Sequence, residues 1–149
     1  MKGCLSLSLF FLIFSLPGCN EENCLSNNSS EVIINFVDST GATAVQRFDL
    51  INAVGFSENI RYSQSNVGST FILPVNPHDD KTIYRFITED VIDTLSFTYS
   101  RTPRVLSSEC PYEIQYQNLN VIDEETTLRY ELGKNELTNT NVSNITIYR

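Results

Sequence analysis

Apolar and polar residues alternate without a break from Asp93 through Ser100, so that Leu95, Phe97 and Tyr99 share one face and Thr94, Ser96, Thr98 and Ser100 the other. A strand turns successive side chains to opposite faces, and this period of two predicts a half-buried antiparallel strand. The same alternation runs through residues 69–73, 112–117 and 127–132, and shorter runs predict strands at 32–37, 45–50, 59–63, 82–88, 105–108 and 144–148. Turn-forming clusters separate them, among them Ser39-Thr40-Gly41, Asn66-Val67-Gly68 and Asn76-Pro77-His78-Asp79-Asp80. No stretch holds a helical period for three turns. About nine or ten short strands with no helices between them predict an all-β chain, an antiparallel two-sheet β-sandwich of immunoglobulin-like or transthyretin-like form. The chain has no Trp, so the Cys-Trp-Cys core of antibody domains is absent.

One apolar run follows neither period. From Leu5 to Leu16 only Ser6, Ser8 and Ser15 interrupt it, and it is too short for a bilayer span, which takes roughly 20 residues. Lys2 ahead of it and small or turn-forming residues behind it make it a secretory signal peptide. Its end, Leu16-Pro17-Gly18-Cys19, resembles the lipobox of bacterial lipoproteins, although Pro17 replaces the usual small or hydroxyl residue. That resemblance implies cleavage before Cys19 and lipidation on its sulfur and new N-terminus. The expected organisation is then a signal peptide over 1–18, a lipid anchor and short linker over 19–23, and a sandwich domain over 24–149. Two or more acyl chains hold a protein firmly on a membrane without spanning it.

Charge narrows the partners. The 149 residues carry 10 basic and 18 acidic side chains, a net −8, and loss of the signal removes Lys2 alone, leaving 9 against 18. Such a balance argues against nucleic acid and against a basic patch on anionic lipid, so attachment is expected from the lipid itself. Of the four cysteines, Cys4 leaves with the signal and Cys19 takes lipid, so Cys24 and Cys110 remain. In an oxidising envelope they are expected to form a disulfide; two separate buried thiols are the alternative.

The order of features resembles a family of small, uncharacterised Bacteroidota lipoproteins classed as a domain of unknown function. The resemblance rests on the early Cys24, on Phe36-Val37-Asp38, on Asp93-Thr94-Leu95-Ser96-Phe97-Thr98-Tyr99-Ser100-Arg101, on Val105-Leu106-Ser107-Ser108-Glu109-Cys110 and on Tyr116-Gln117-Asn118-Leu119. Pro111 stands where that family usually has Gly. It implies an envelope location and a β fold, and no reaction. Two triplets, Asp38-Ser39-Thr40 and Asp93-Thr94-Leu95, resemble the acceptor motif of bacterial O-glycosylation and mark Ser39 and Thr94 as candidate sites. Asn20-Glu21-Glu22 after the lipid-bearing Cys resembles a surface-export signal, which points to the outer membrane and leaves open which face the domain occupies.

Catalytic chemistry is thin. His78 is the sole His, in a turn with Asp79 and Asp80, and one imidazole without a second His or Cys makes a poor transition-metal site. The acid pairs Asp79-Asp80, Glu89-Asp90 and Glu124-Glu125 are adjacent in sequence and point apart, whereas glycoside hydrolysis needs two carboxylates facing across a cleft. No Gly-x-Ser-x-Gly elbow or Ser-x-x-Lys occurs. We therefore expect no enzyme, no metal and no cofactor, but a structural or protein-binding module. Glycan capture on tyrosines is the alternative; it would need rings outside the core, whereas Tyr99, Tyr112, Tyr116 and Tyr130 fall on the apolar phase of their strands and only Tyr84 and Tyr148 are less constrained.

Overall fold

The computed structural model describes residues 28–56, 67–106 and 112–149. It is a sandwich of two four-stranded sheets. The first has the order β5-β1-β10-β9, formed by β1 (Glu31–Val37), β5 (Thr70–Pro74), β9 (Arg129–Leu132) and β10 (Ile145–Tyr148). The second has the order β3-β6-β7-β8, formed by β3 (Leu50–Val54), β6 (Lys81–Ile87), β7 (Ile92–Arg104) and β8 (Glu113–Val121). A two-residue ribbon, β2 (Gln46–Arg47) with β4 (Val67–Gly68), lies beside them, and a 3-10 turn covers Asp123–Glu125. Among the described residues there is no α-helix.

Alternation builds the core as expected. Val32, Ile34 and Phe36 on β1 face Ile51 and Ala53 on β3, Tyr84 and Phe86 on β6, and Leu95, Phe97 and Tyr99 on β7 within one buried cluster. Phe36 of the first sheet meets Phe86 of the second edge-on at 5.6 Å between ring centroids, a favoured geometry for aromatic pairs. Among the described strands every pairing is antiparallel except one: β10 runs parallel to β1, with Ile34 opposite Ile145. These strands come from opposite ends of the described chain, so no hairpin dictates their relative direction.

Several boundaries differ from the sequence reading, each for a packing reason. The expected strand at 45–50 breaks at Phe48-Asp49, because Phe48 and Ile51 are both buried and three residues apart. A period-two strand cannot turn both to one side. Freed by the break, Phe48 packs on Phe36, Phe71 and Phe86 at 5.5, 5.6 and 5.0 Å. A similar conflict divides β8, where Tyr116 and Leu119 are both buried. There Asn118 takes φ 56° and the register slips, Thr98 facing Asn120 but Ser100 facing Gln117, so one extra residue resets the alternation.

β7 continues to Arg104, and Val105, expected in the next strand, lies beyond it with 67 % of its surface exposed. Val67 and Gly68, read as a turn, form β4 instead. Tyr112 stands before β8 and is 71 % exposed, against the expectation that it enters the core. The strand expected at 59–63 and the end of the one at 105–108 lie outside the described residues.

Candidate functional site

The turn holding His78 is a crossing between the two sheets, since β5 pairs with β1 while β6 pairs with β3 and β7. Asn76 fastens it from inside. Its amide nitrogen donates to the Gly55 carbonyl at 3.0 Å, its side-chain oxygen accepts the His78 amide at 2.9 Å, and its backbone N–H donates to Thr82 Oγ1 at 2.9 Å. The Thr82 hydroxyl lies 2.8 Å from the Tyr99 hydroxyl, which donates to the Asn76 carbonyl at 2.8 Å. Burial pushes Tyr99 up to about 12. Outside, Arg101 Nε donates to Asp80 at 2.6 Å and its Nη1 to the Pro77 carbonyl at 2.6 Å, and the Asp80 bond raises the guanidinium further. His78 and Asp79 are left exposed. No group of three His, Cys, Asp or Glu that could hold a metal ion occurs among the described residues.

The acid pair Glu124-Glu125 sits in a segment that rides along β7 beyond the end of β8. The Ile122 amide donates to the Ser96 carbonyl at 2.8 Å, the Thr127 amide to the Thr94 carbonyl at 3.0 Å, and the Thr94 amide to Thr127 Oγ1 at 2.8 Å. Glu125 accepts from Lys81 Nζ at 2.7 Å and from Ser96 Oγ at 2.8 Å, and these bonds, Lys81 first, hold its carboxyl below the usual range. Ser96, expected on a solvated face, is fully buried beneath this segment. Asp123 accepts the Tyr130 hydroxyl.

The two candidate acceptor residues do not form one site. Ser39 is exposed in the turn after β1, where the Asp38 carboxylate accepts the Thr40 hydroxyl at 2.6 Å and the Thr40 and Ala42 amides at 2.8 and 3.0 Å. Those bonds, the hydroxyl first, lower the Asp38 carboxyl. Thr94 is half-buried in the middle of the second sheet. Cys19, Cys24 and Cys110 lie outside the described residues.

Among the described tyrosines Tyr112 alone is exposed, and the others are buried or engaged. Tyr84, Tyr99 and Tyr116 are buried, and Tyr130 packs against the core. Tyr148 lies on the outside of the first sheet, with its hydroxyl donating to Glu131 at 2.7 Å and Arg129 over its ring at 5.1 Å.

What sequence reasoning missed is the outer face of the second sheet. Three rows cross β3, β6 and β7 there: Leu50-Ile87-Ile92, Asn52-Arg85-Thr94 and Val54-Ile83-Ser96. The outer rows are apolar apart from Ser96, Ile92 is 59 % exposed, and the exposed Arg85 stands between them. The signal was in Ile83-Tyr84-Arg85-Phe86-Ile87, which is apolar on both phases of the strand around one Arg. An antiparallel strand with a single buried face normally alternates cleanly.

A family described as "Family of unknown function (DUF6452)" matches residues 50–149, which begins at β3 and takes in the whole second sheet. No curated protein and no solved structure matches the chain.

Proposed function

From a chain that belongs to the DUF6452 family of unknown function, we propose a lipid-anchored cell-envelope protein of the bacterial outer membrane, of Bacteroidota type, acting without catalysis as a structural or protein-binding module. Cys19 carries the lipid in this reading. The observation that carries the binding part is the outer face of the second sheet, where Leu50, Ile83, Ile87 and Ile92 frame Arg85. Half-buried apolar rows ending in the exposed Ile92, with an exposed Arg between them, suit a protein partner, in which Arg is a frequent anchor. The buried rings of Tyr84, Tyr99 and Tyr116 weigh against the alternative of a glycan-binding lipoprotein, because stacking on sugars needs free ring faces and among the described tyrosines only Tyr112 is exposed.

Two measurements test this. A photo-crosslinking residue in place of Ile92 in living cells is expected to yield a discrete, protease-sensitive adduct, while one in place of Thr146, on β10, is not. Equal adducts from both positions, or none from position 92 together with retention on insoluble polysaccharide, overturn the protein-binding reading. Labelled palmitate is expected to enter the wild type and not Cys19→Ala; equal label in both removes the anchor.

A further inference from the structure

We propose that the outer face of the second sheet docks a second copy of this chain, forming a two-fold dimer in which Arg85 of each copy meets Glu89 and Asp90 of the other. This rests on the protein-binding reading and names its partner.

The argument is one of spacing and sign. Leu50, Ile87 and Ile92 lie side by side across three strands, the first two half-buried and Ile92 exposed. Arg85 precedes Ile87 by two residues on β6, and Glu89 follows it by two at the exposed tip of the β6–β7 hairpin, where the Thr88 amide donates to the Val91 carbonyl at 2.9 Å. Strands advance roughly 3.3 Å per residue, so Arg85 stands about 7 Å to one side of the apolar row, and the acidic turn closes the hairpin on the other side. A two-fold axis lying between two stacked faces, across the strands and over that row, carries each position onto its mirror distance along the partner strand. Apolar row then meets apolar row, and Arg85 meets the acidic tip, twice. Self-complementarity of one patch is what a two-fold interface requires.

Electrostatics favours this occupant over an uncharged one. The chain carries a net −8, so two copies repel at long range unless opposite charges meet locally. Arg85 makes no ion pair among the described residues, whereas Lys81, Arg101 and Arg149 are engaged with Glu125, Asp80 and Asp93. The complementary acids, Glu89 and Asp90, are already on the same hairpin, on the other side of the apolar row.

The test is native mass spectrometry of the detergent-purified full-length protein, with chains distinguished by mass tags. The wild type is expected to be dimeric. Arg85→Glu alone sets acid against acid, and Glu89→Arg/Asp90→Arg alone sets base against base, so each is expected to raise the dimer dissociation constant at least about tenfold. Mixing the two variants sets the new acid of the first against the new bases of the second at one contact. The native residues face each other at the other contact, so the mixture is expected to restore a heterodimer. Ile92→Asp is expected to yield monomers. A monomeric wild type at every concentration overturns the dimer, as does a dimer indifferent to these charges or a failure of the mixed pair to associate. In the monomer case, an adduct of another mass from position 92 leaves the broader protein-binding reading standing.

Discussion

The side-chain oxygen of Asn144 accepts the backbone amide of Ile33 at 2.9 Å, extending the parallel pairing of β1 and β10 by one rung made from a side chain. The same buried amide donates to the carbonyls of Lys134 at 2.8 Å and Glu136 at 3.1 Å. It thereby ties β1 to an arm whose Leu137 closes the core and whose Asn135 and Leu137 bond along the free edge of β8.

Asn144→Leu fills the space and leaves one N–H and two carbonyls without their partner. Buried polar groups left unpaired cost about 1–3 kcal/mol each, partly recovered by relaxation, so we expect a loss of about 3 kcal/mol. The urea midpoint reads it, with an unchanged slope. A loss under about 0.5 kcal/mol, the range of an ordinary surface substitution, contradicts the assigned role.

Tyr99 makes stability depend on alkaline pH. Its folded-state value is raised from 10 to about 12 by burial, so the folded protein keeps this proton where the unfolded chain loses it. The stabilisation is complete below pH 10 and declines as pH rises from 10 through about 12. Tyr99→Phe is expected to cost about 1–2 kcal/mol at neutral pH through the lost bonds to Thr82 and Asn76. The gap between wild type and variant is expected to narrow in alkali, and a gap constant with pH contradicts the assignment.

Asn118 carries the register slip of β8 at φ 56°. Asn tolerates this left-handed conformation, Gly adopts it freely and a β-branched residue resists it. Its side chain also donates to Ser100 Oγ at 2.9 Å. Asn118→Gly is expected to change stability by less than about 1 kcal/mol and Asn118→Val to lower it by about 2 kcal/mol. Thermal melting of the pair checks the order; equal melting temperatures argue against strain at this position.

The cysteines provide a test independent of the described residues. If Cys19 is lipidated and Cys24 is bonded to Cys110, denatured, unreduced protein from the envelope is expected to show no thiol reactive to alkylation. Two labelled thiols per chain overturn the bond. In the chain-entropy view a loop this long contributes roughly 4 kcal/mol, so reduction is expected to lower the melting temperature.

The alternation of Val32, Ile34 and Phe36, and of Leu95, Phe97 and Tyr99, determined by itself that these segments are strands and which side of each enters the core. It did so because the period of a strand is local and needs no knowledge of neighbours. The chain's own residues likewise placed the Ser39-Thr40-Gly41 turn, where Gly41 takes φ 85°. Tertiary structure decided the rest. Whether Phe48 and Ile51 share a core, or Tyr116 and Leu119, depends on partners far along the chain, and meeting both demands breaks the period at Asp49 and Asn118. Ser96 sits on the polar phase of β7, yet a segment some 30 residues later covers it. The parallel partnership of β1 and β10, and the row Asn52-Arg85-Thr94 set between two largely apolar rows, arise only when strands distant in sequence lie side by side, since pairing is a contact between segments and alternation a property of one.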